Sequence, residues 1–312
     1  VDMMGNTIHN WDMLERGYTM HHAISQDKQG NILATVSKTS AKIANGKDVR
    51  INDFIIRMDP EKGEILQEWD LVHMLDSARY GMTDYNLTAD PYAQNASNWA
   101  HNNGIVEWGN DYLATARYQG IFKFNKAGGI EWIISPHGYW RDRYLKLLLN
   151  PLHADGTPIT DPDVIAGTKN CDDFEWPWGC HTAVPLPNGH IFYFNNGYGR
   201  NFKLDFTDRK NVYTCGIEYE VDEVNRTVRQ VWQYGKERGT AYFTPARSGV
   251  QYLEQTGNRL ICPGMSNVLS NGNRGARVTE VDPETQDVVF ELELEDAIYQ
   301  RVYRMSLYPE NQ

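Results

Sequence analysis

Tyr112-Leu-Ala-Thr-Ala116 and Gly120-Ile-Phe-Lys-Phe124 are two short apolar runs in close succession, and the turn Asn125-Lys-Ala-Gly-Gly129 leads from them to Trp132. Short runs of this kind, bounded by Gly and Asn, are typical of β-strands joined by tight turns. The segment therefore predicts consecutive antiparallel strands, the last of which carries an aromatic residue.

The same pattern of an Asp or Asn turn followed by an aromatic residue recurs along the chain. It leads in the other instances to Trp11, Trp69, Trp232 and Phe290. Each turn after the first is preceded by three strand-like runs, so each unit has four strands in up-and-down order. Repeated four-stranded units of about 50 residues are typical of a β-propeller. A β-sandwich also has many short strands, but they do not repeat, so the all-β propeller is favoured.

Four complete units and a partial unit at each end are predicted. Val1 to Trp11 has the pattern of the last strands of a unit, and Tyr303 to Tyr308 that of a first strand. These halves can join to close a ring, or residues upstream of Val1 are missing. We interpret residues 1–312 as one propeller domain with an insertion at about 134–180, in which Asp142 to Leu149 is the best helix candidate.

Composition and charge exclude several classes of protein. Apolar residues make up 41% of the 312, which is too many for a disordered chain. The net charge of −11 and the lack of a basic cluster argue against a nucleic-acid surface. No apolar run is long enough to span a membrane, and the first residues do not read as a signal peptide. No glycine-rich phosphate loop is present, so no nucleotide cofactor is expected.

Three histidines begin the first strand of successive units. Each stands at the same distance before a turn glycine, in the pairs His22 and Gly30, His101 and Gly109, His181 and Gly189. The first strands of propeller blades line the central channel, so these imidazoles are expected to converge at one mouth of it. His21 adjoins His22, but strand alternation turns it to the other face, and the glycine spacing favours His22.

Arg117 and Asn103 are expected at the same mouth. Arg117 ends the second strand of the His101 unit, and Asn103 lies two residues after His101 on the same strand face. Two chemistries fit this set. Three histidines can bind zinc with one open position. Alternatively, one neutral imidazole attacks an anionic group while Arg117 and the other imidazoles neutralise its oxygens.

Four motifs together resemble the bacterial arylsulfate sulfotransferases, which do not use the phosphoadenosine donor. They are Asn98-Trp-Ala-His101-Asn-Asn103, Ala116-Arg-Tyr-Gln-Gly-Ile-Phe-Lys123, Cys180-His181-Thr-Ala183 and Tyr234-Gly-Lys-Glu-Arg-Gly239. The resemblance implies that His181 is the nucleophile, that His101 and Arg117 bind the sulfuryl oxygens, that His22 is the remaining channel histidine and that Asn103 is a nearby polar contact. It implies ping-pong transfer from an aryl sulfate to a phenol through a sulfohistidine, with neither metal nor nucleotide.

The resemblance also carries expectations about the whole protein. It implies six blades, a separate N-terminal β domain that is absent here or lies upstream of Val1, a possible homodimer and a periplasmic location. The family has a disulfide just upstream of its nucleophile, which implies a bridge between Cys171 and Cys180 here. We assign no catalysis to Lys236, Glu237 and Arg238, which we interpret as an ion network.

Aromatic residues of the insertion have two interpretations. Tyr139, Trp176 and Trp178 can stack on an aryl ring of the substrate, or they can anchor the insertion to the propeller. Two other functions remain as alternatives: a metal-dependent hydrolase that uses the three histidines, and a propeller that binds a ligand without chemistry.

Overall fold

The computed structural model describes residues 4–45, 48–79, 99–266, 273 and 275–296. They form four antiparallel sheets. The first contains β1 (Tyr18–Gln26), β2 (Ile32–Asn45), β3 (Asp48–Met58) and β4 (Ile65–Asp70), and the second β5 (Asn102–Trp108), β6 (Asp111–Ala116), β7 (Gly120–Phe124) and β8 (Ile130–Ile134). The third contains β10 (His181–Pro185), β11 (Ile191–Asn195), β12 (Cys215–Asp222) and β13 (Thr227–Tyr234), with β9 (Asn150–Leu152) added at its edge, and the fourth β14 (Ser248–Tyr252), β15 (Arg259–Pro263), β16 (Gly275–Val281) and β17 (Val288–Glu295).

Each sheet is one blade, with its strands in sequence order. Consecutive strands pair antiparallel, and the first strands contact one another in turn, β1 with β5, β5 with β10 and β10 with β14. The buried apolar side chains lie between neighbouring blades: Leu33 and Ile55 pack with Phe122, and Phe194 packs with Ile261. The predicted all-β propeller of four-stranded blades is therefore confirmed.

The prediction of six blades is wrong, because the described residues form four. Residues 4–17 are described and contain no strand. Trp11 instead packs on the turn between β3 and β4, where its Nε1 donates to Pro60 O at 3.0 Å and its ring occupies the space beside Gly63. The segment Tyr303 to Tyr308 lies outside the described residues.

The recurring tryptophans fasten each blade to the next. In every instance the indole Nε1 donates to an acceptor in the turn before the last strand of the following blade. The pairs are Trp69 with Lys126 O at 3.0 Å, Trp132 with Glu223 Oε1 at 2.8 Å, and Trp232 with Pro283 O at 3.1 Å. The turn and the tryptophan recur together because each of these tryptophans bonds to the next copy of the turn.

Trp69 gives a direct test of this packing. Its side chain is buried, so Trp69→Ala is expected to lower the free energy of unfolding by about 3–5 kcal/mol. Trp69→Phe keeps an aromatic ring and loses the hydrogen bond. Its expected loss of unfolding free energy is therefore smaller than that of Trp69→Ala, with about 1 kcal/mol from the hydrogen bond itself. Urea denaturation measures the free energy of unfolding of both variants. A loss below about 1 kcal/mol for Trp69→Ala contradicts the role given to this ring.

The insertion wraps the outer edge of the third blade. Its strand β9 pairs parallel with β13, and it contains the short helices α2 (Asp142–Leu145) and α3 (Pro162–Ala166). The predicted helix from Asp142 to Leu149 is shorter than expected, because the backbone of Leu147 and Leu149 bonds to Ile133 in β8.

The remaining described helices are short. They are α1 (Leu71–Met74) and α4 (Gly239–Tyr242), with single 3₁₀ turns at Arg200–Phe202, Arg209–Asn211 and Lys236–Arg238. None of the helices in the described part of the chain is long and apolar enough to cross a membrane. The guanidinium of Arg238 donates to both oxygens of Glu291 at 2.9 and 3.0 Å, in agreement with the structural ion pairing expected there.

Candidate active site

The three predicted histidines meet at the inner strands of the first three blades. His101 Nε2 lies 3.1 Å from His22 Nε2, and the ring centroids of His22 and His181 are 6.2 Å apart. His181 is buried, His101 is half-buried and His22 is exposed. The structure therefore brings together three histidines that are far apart in the sequence.

Their positions in the strands are less alike than the glycine spacing suggested. The amide of Asp27 closes the loop around Gly30, and that of Leu186 closes the loop around Gly189, whereas Gly109 directly follows Trp108, which pairs with Asp111. The three histidines thus stand at equal distances before a glycine, but they do not occupy equivalent positions in the strand pairing of their blades.

Bulges bring the three rings together in spite of these different registers. The pairing of the inner strand with its neighbour shifts beside each histidine, between Met20 and Ile24, between Asn102 and Gly104, and between His181 and Ala183. Positive φ angles of 55° at His22 and 54° at His101 mark two of these shifts. Bulges redirect side chains at strand ends, which explains the convergence.

His181 is held in one tautomer. Its Nδ1 lies 2.6 Å from Asn196 Oδ1 and 3.2 Å from Gly179 O. Both are acceptors, so Nδ1 carries the hydrogen and Nε2 keeps a lone pair. Burial, reinforced by the positive charge of Arg117, lowers the pKa of His181 to about 3. The imidazole is therefore neutral and nucleophilic at physiological pH.

Asn196 is a residue that the sequence analysis missed. It is fully buried directly after β11, its Nδ2 donates to Thr244 O at 2.9 Å, and its Oδ1 also accepts from Ser248 Oγ at 3.2 Å. These bonds fix the acceptor that orients His181. The only signal in the sequence is an Asn pair after a strand, which is as common in ordinary turns.

Arg117 occupies the predicted place at the end of β6. Its backbone amide donates to His101 O at 3.0 Å, and its buried Nη2 donates to Pro245 O at 2.7 Å. A Cβ placed on Gly179 would lie 3.7 Å from its Cζ, so the guanidinium packs over the backbone two residues before His181. After burial and the neighbouring His22, the charge of Arg117 is a further cause of the lowered pKa of His101.

Asn103 is close by, and its described hydrogen bonds are structural. Its Nδ2 donates to Cys180 O at 2.8 Å, and its Oδ1 accepts from Thr115 Oγ1 at 2.7 Å. It therefore ties the second blade to the backbone that precedes His181. His21 adjoins the cluster, because its Nδ1 lies 3.0 Å from His22 Nδ1, and its Nε2 lies 3.5 Å from Asp53 Oδ1.

The aromatic residues of the insertion occupy three different environments. Trp176 is buried in the core, and its Nε1 donates to Val164 O at 2.8 Å, as expected of an anchor. Tyr139 is exposed and contacts Phe202. Trp178 lines a small cavity beside Arg117, together with Arg79, Tyr118 and Tyr198. Of the three, Trp178 is the one adjacent to the site.

The predicted disulfide between Cys171 and Cys180 is wrong, since neither residue is in a disulfide. Cys180 is fully buried in the core that contains Trp178 and Tyr193, and Asn103 fixes its carbonyl. Cys171 is half-buried in the insertion, where its Sγ donates to Asp173 Oδ1 at 3.1 Å. Cys215 and Cys262 are buried in the blades, as expected.

The histidine cluster does not have the geometry of a metal centre. In the described ranges, one group of three ligating side chains has its ligand atoms within 4.8 Å of one another, and it lies in the insertion instead. Arg117 beside the imidazoles also opposes a cation. The site is therefore better suited to an anion.

Comparisons with known proteins show which sequences this chain is similar to. The chain is 29% identical over 338 residues to arylsulfate sulfotransferase AssT of Lelliottia amnigena, and 28% over 337 residues to the protein of the same name from Escherichia coli O6:H1. Each alignment covers 98% of this chain and 56% of the relative, so the chain spans about half the length of these curated relatives.

Solved structures give a weaker likeness. A europium-containing methanol dehydrogenase matches with a TM-score of 0.45 at 12% identity, over 90% of this chain and 47% of that chain.

The sequence profile described as arylsulfotransferase (ASST) matches residues 1–304. Because this match extends over nearly the whole sequence, the chain belongs to the arylsulfotransferase family.

Proposed function

We propose that this protein transfers a sulfuryl group from an aryl sulfate to a phenol through a covalent intermediate on His181 Nε2. The observation that carries the proposal is the buried hydrogen bond from His181 Nδ1 to Asn196, beside the Arg117 guanidinium. A buried neutral imidazole next to a fixed cation is suited to attack an anionic, electrophilic group. The curated relatives are named for the same activity.

The charges of the site favour binding of a sulfate monoester. Desolvation of the crowded imidazole rings, and then the neighbouring histidines and Arg117, lower the pKa values of His22 and His101, so the site holds one guanidinium and neutral imidazoles. A single negative charge from the ester balances Arg117. When the ester binds, the N–H groups of His22 and His101 turn from their mutual contact to the remaining sulfuryl oxygens, and such donors stabilise the charge that develops in the transition state.

The first half-reaction breaks the bond between sulfur and the aryl oxygen. The lone pair of His181 Nε2 forms the new nitrogen–sulfur bond, and the bonding electrons leave with the aryl oxygen as phenolate. A phenol has a pKa near 10, so the phenolate needs little acid assistance before it takes a proton from solvent. His181 keeps the hydrogen on Nδ1, which Asn196 still accepts.

The second half-reaction restores the enzyme. An acceptor phenol loses its proton to solvent or a base, its oxygen attacks sulfur, and the nitrogen–sulfur bond breaks with its electrons returning to His181. This sequence is ping-pong with one covalent intermediate. The buried rings of Tyr118, Trp178 and Tyr198 surround a cavity of about the size of one water molecule beside Arg117, so an aryl group that stacks there must displace them.

The test is product analysis with p-nitrophenyl sulfate and an added phenol. Transferase activity releases nitrophenol together with the sulfate ester of the acceptor, in equal amounts, and is unaffected by metal chelators. Release of inorganic sulfate that stops with a chelator supports the metal-dependent hydrolase instead. Ligand binding without release of nitrophenol supports the non-catalytic propeller.

Asn196→Asp tests the proposed control of the His181 tautomer. The native pKa of about 3 keeps His181 neutral, so kcat/KM is expected to stay flat from roughly pH 7 to pH 5. A carboxylate at position 196 favours the charged imidazole and raises its pKa by about 1–3 units. Activity of the variant is therefore expected to fall on the acid side at a higher pH than in the native protein.

Asn196→Ala is the matched control for this pH profile. It removes the acceptor without adding a charge, so activity is expected to drop by about tenfold to a hundredfold at every pH, as when other orienting partners are lost. An identical pH profile for Asn196→Asp and Asn196→Ala contradicts the assigned role.

A further inference from the structure

His153, Cys171 and Asp173 form a cluster in the insertion, apart from the histidine site. His153 Nδ1 lies 3.0 Å from Asp173 Oδ1, and Cys171 Sγ lies 3.1 Å from the same oxygen. The ligand atoms of all three side chains are within 4.8 Å of one another. His153 and Asp173 are partly exposed, so solvent has access to the cluster.

We propose that this cluster binds a divalent transition-metal ion, with zinc as the best fit. Thiolate, imidazole and carboxylate are its three common protein ligands. A tetrahedral zinc ion with bonds of about 2.0–2.3 Å holds its ligand atoms about 3.3–3.6 Å apart. The observed 3.0 and 3.1 Å need a small outward movement, the remaining pair, His153 Nδ1 and Cys171 Sγ, lies within 4.8 Å, and a water molecule completes the fourth position.

The backbone prearranges two of the ligands. The amide of His153 donates to Thr157 O at 2.8 Å and that of Gly156 to His153 O at 2.9 Å, which closes a turn directly after β9. Asp173 Oδ2 accepts from the Ala154 amide at 2.9 Å, so its other oxygen stays directed at the cluster. Such supporting bonds orient metal ligands and raise affinity.

Ion binding has a defined proton balance. The Cys171 thiol loses its proton to solvent and coordinates as thiolate, while His153 coordinates through Nδ1 as neutral imidazole. Metal affinity is therefore expected to increase with pH.

The ion would join the middle of the insertion to its C-terminal part. His153 follows β9 at the edge of the third blade, and Cys171 and Asp173 precede the segment that leads to His181. A metal bridge would therefore restrain the part of the chain that leads to His181. This inference rests on the geometry of the cluster and is independent of the proposed transfer activity.

Cobalt(II) titration of the reduced full-length chain tests the site. One equivalent of cobalt is expected to produce a thiolate-to-cobalt charge-transfer band and the visible bands of tetrahedral cobalt, and zinc should displace both. Cys171→Ser should abolish the charge-transfer band, and His153→Asn should weaken binding by about 10–100-fold. His9→Asn is the control, because His9 also lies near a carboxylate, Glu61 at 3.1 Å, with no thiol described beside it.

Thiol labelling of the unaltered chain gives a second measurement that does not depend on a variant folding. Cys180, Cys215 and Cys262 are buried, so Cys171 is the cysteine most open to alkylation in the native state. Zinc is expected to slow alkylation of Cys171 at least tenfold. The proposal is overturned if zinc leaves the labelling rate unchanged, or if Cys171→Ser binds cobalt with the same spectrum and affinity as the native chain.

Discussion

His181→Ala is expected to lower turnover of p-nitrophenyl sulfate by about 10⁴-fold or more, the scale seen when a covalent nucleophile is lost. No other described imidazole is both buried and fixed by Asn196, so no neighbour can replace it. Initial rates of nitrophenol release measure the effect. The fold should survive, because the side chain lies at the start of β10 and not within the apolar core cluster.

His73→Ala is the control for this variant. The His73 imidazole is largely exposed and its near contact is Asp70, so activity should be unchanged. A loss of less than about tenfold for His181→Ala shows that another group attacks the sulfur, and the covalent route through this residue is then wrong.

Arg117→Ala is expected to lower turnover by about 10²–10³-fold, the cost of removing one donor to a developing anion. Arg117→Lys keeps the charge but not the planar pair of donors, so it should recover only part of the loss. Part of the effect could arise from structure, because Nη2 also donates to Pro245 O. Rescue of Arg117→Ala by added guanidinium separates the two causes.

Arg143→Ala serves as the matched control, since Arg143 lies on α2 in the insertion, where it bonds to the Tyr144 hydroxyl. Its activity and its response to guanidinium should equal those of the native protein. Unchanged turnover in Arg117→Ala would remove this residue from the site.

The blades could be predicted from the sequence because the repeat has a physical cause. Trp69, Trp132 and Trp232 each bond to the turn of the following blade, so selection of the contact keeps turn and aromatic together in the sequence. The prediction of six blades had no such physical basis. It came from resemblance alone, and the described residues contain four units.

The site could be predicted only in part. The imidazoles of His22, His101 and His181 converge, but through bulges, which leave no mark in a pattern of glycines. Asn196 was missed because only the folded chain shows which Asn faces His181. The prediction of a disulfide was wrong because the sequence spacing of Cys171 and Cys180 carries no information on the direction of their side chains. The periplasmic location, dimer and N-terminal domain stay predictions.

Peptide mass analysis of the protein, exposed briefly to p-nitrophenyl sulfate without an acceptor, is the most direct measurement of the covalent step. The peptide that contains His181 is expected to gain one sulfuryl group, and the gain should disappear when a phenol is added. The control is His181→Ala, which should stay unmodified. Rapid release of nitrophenol with an unmodified His181 peptide, or a sulfuryl group found on another residue, contradicts transfer through His181.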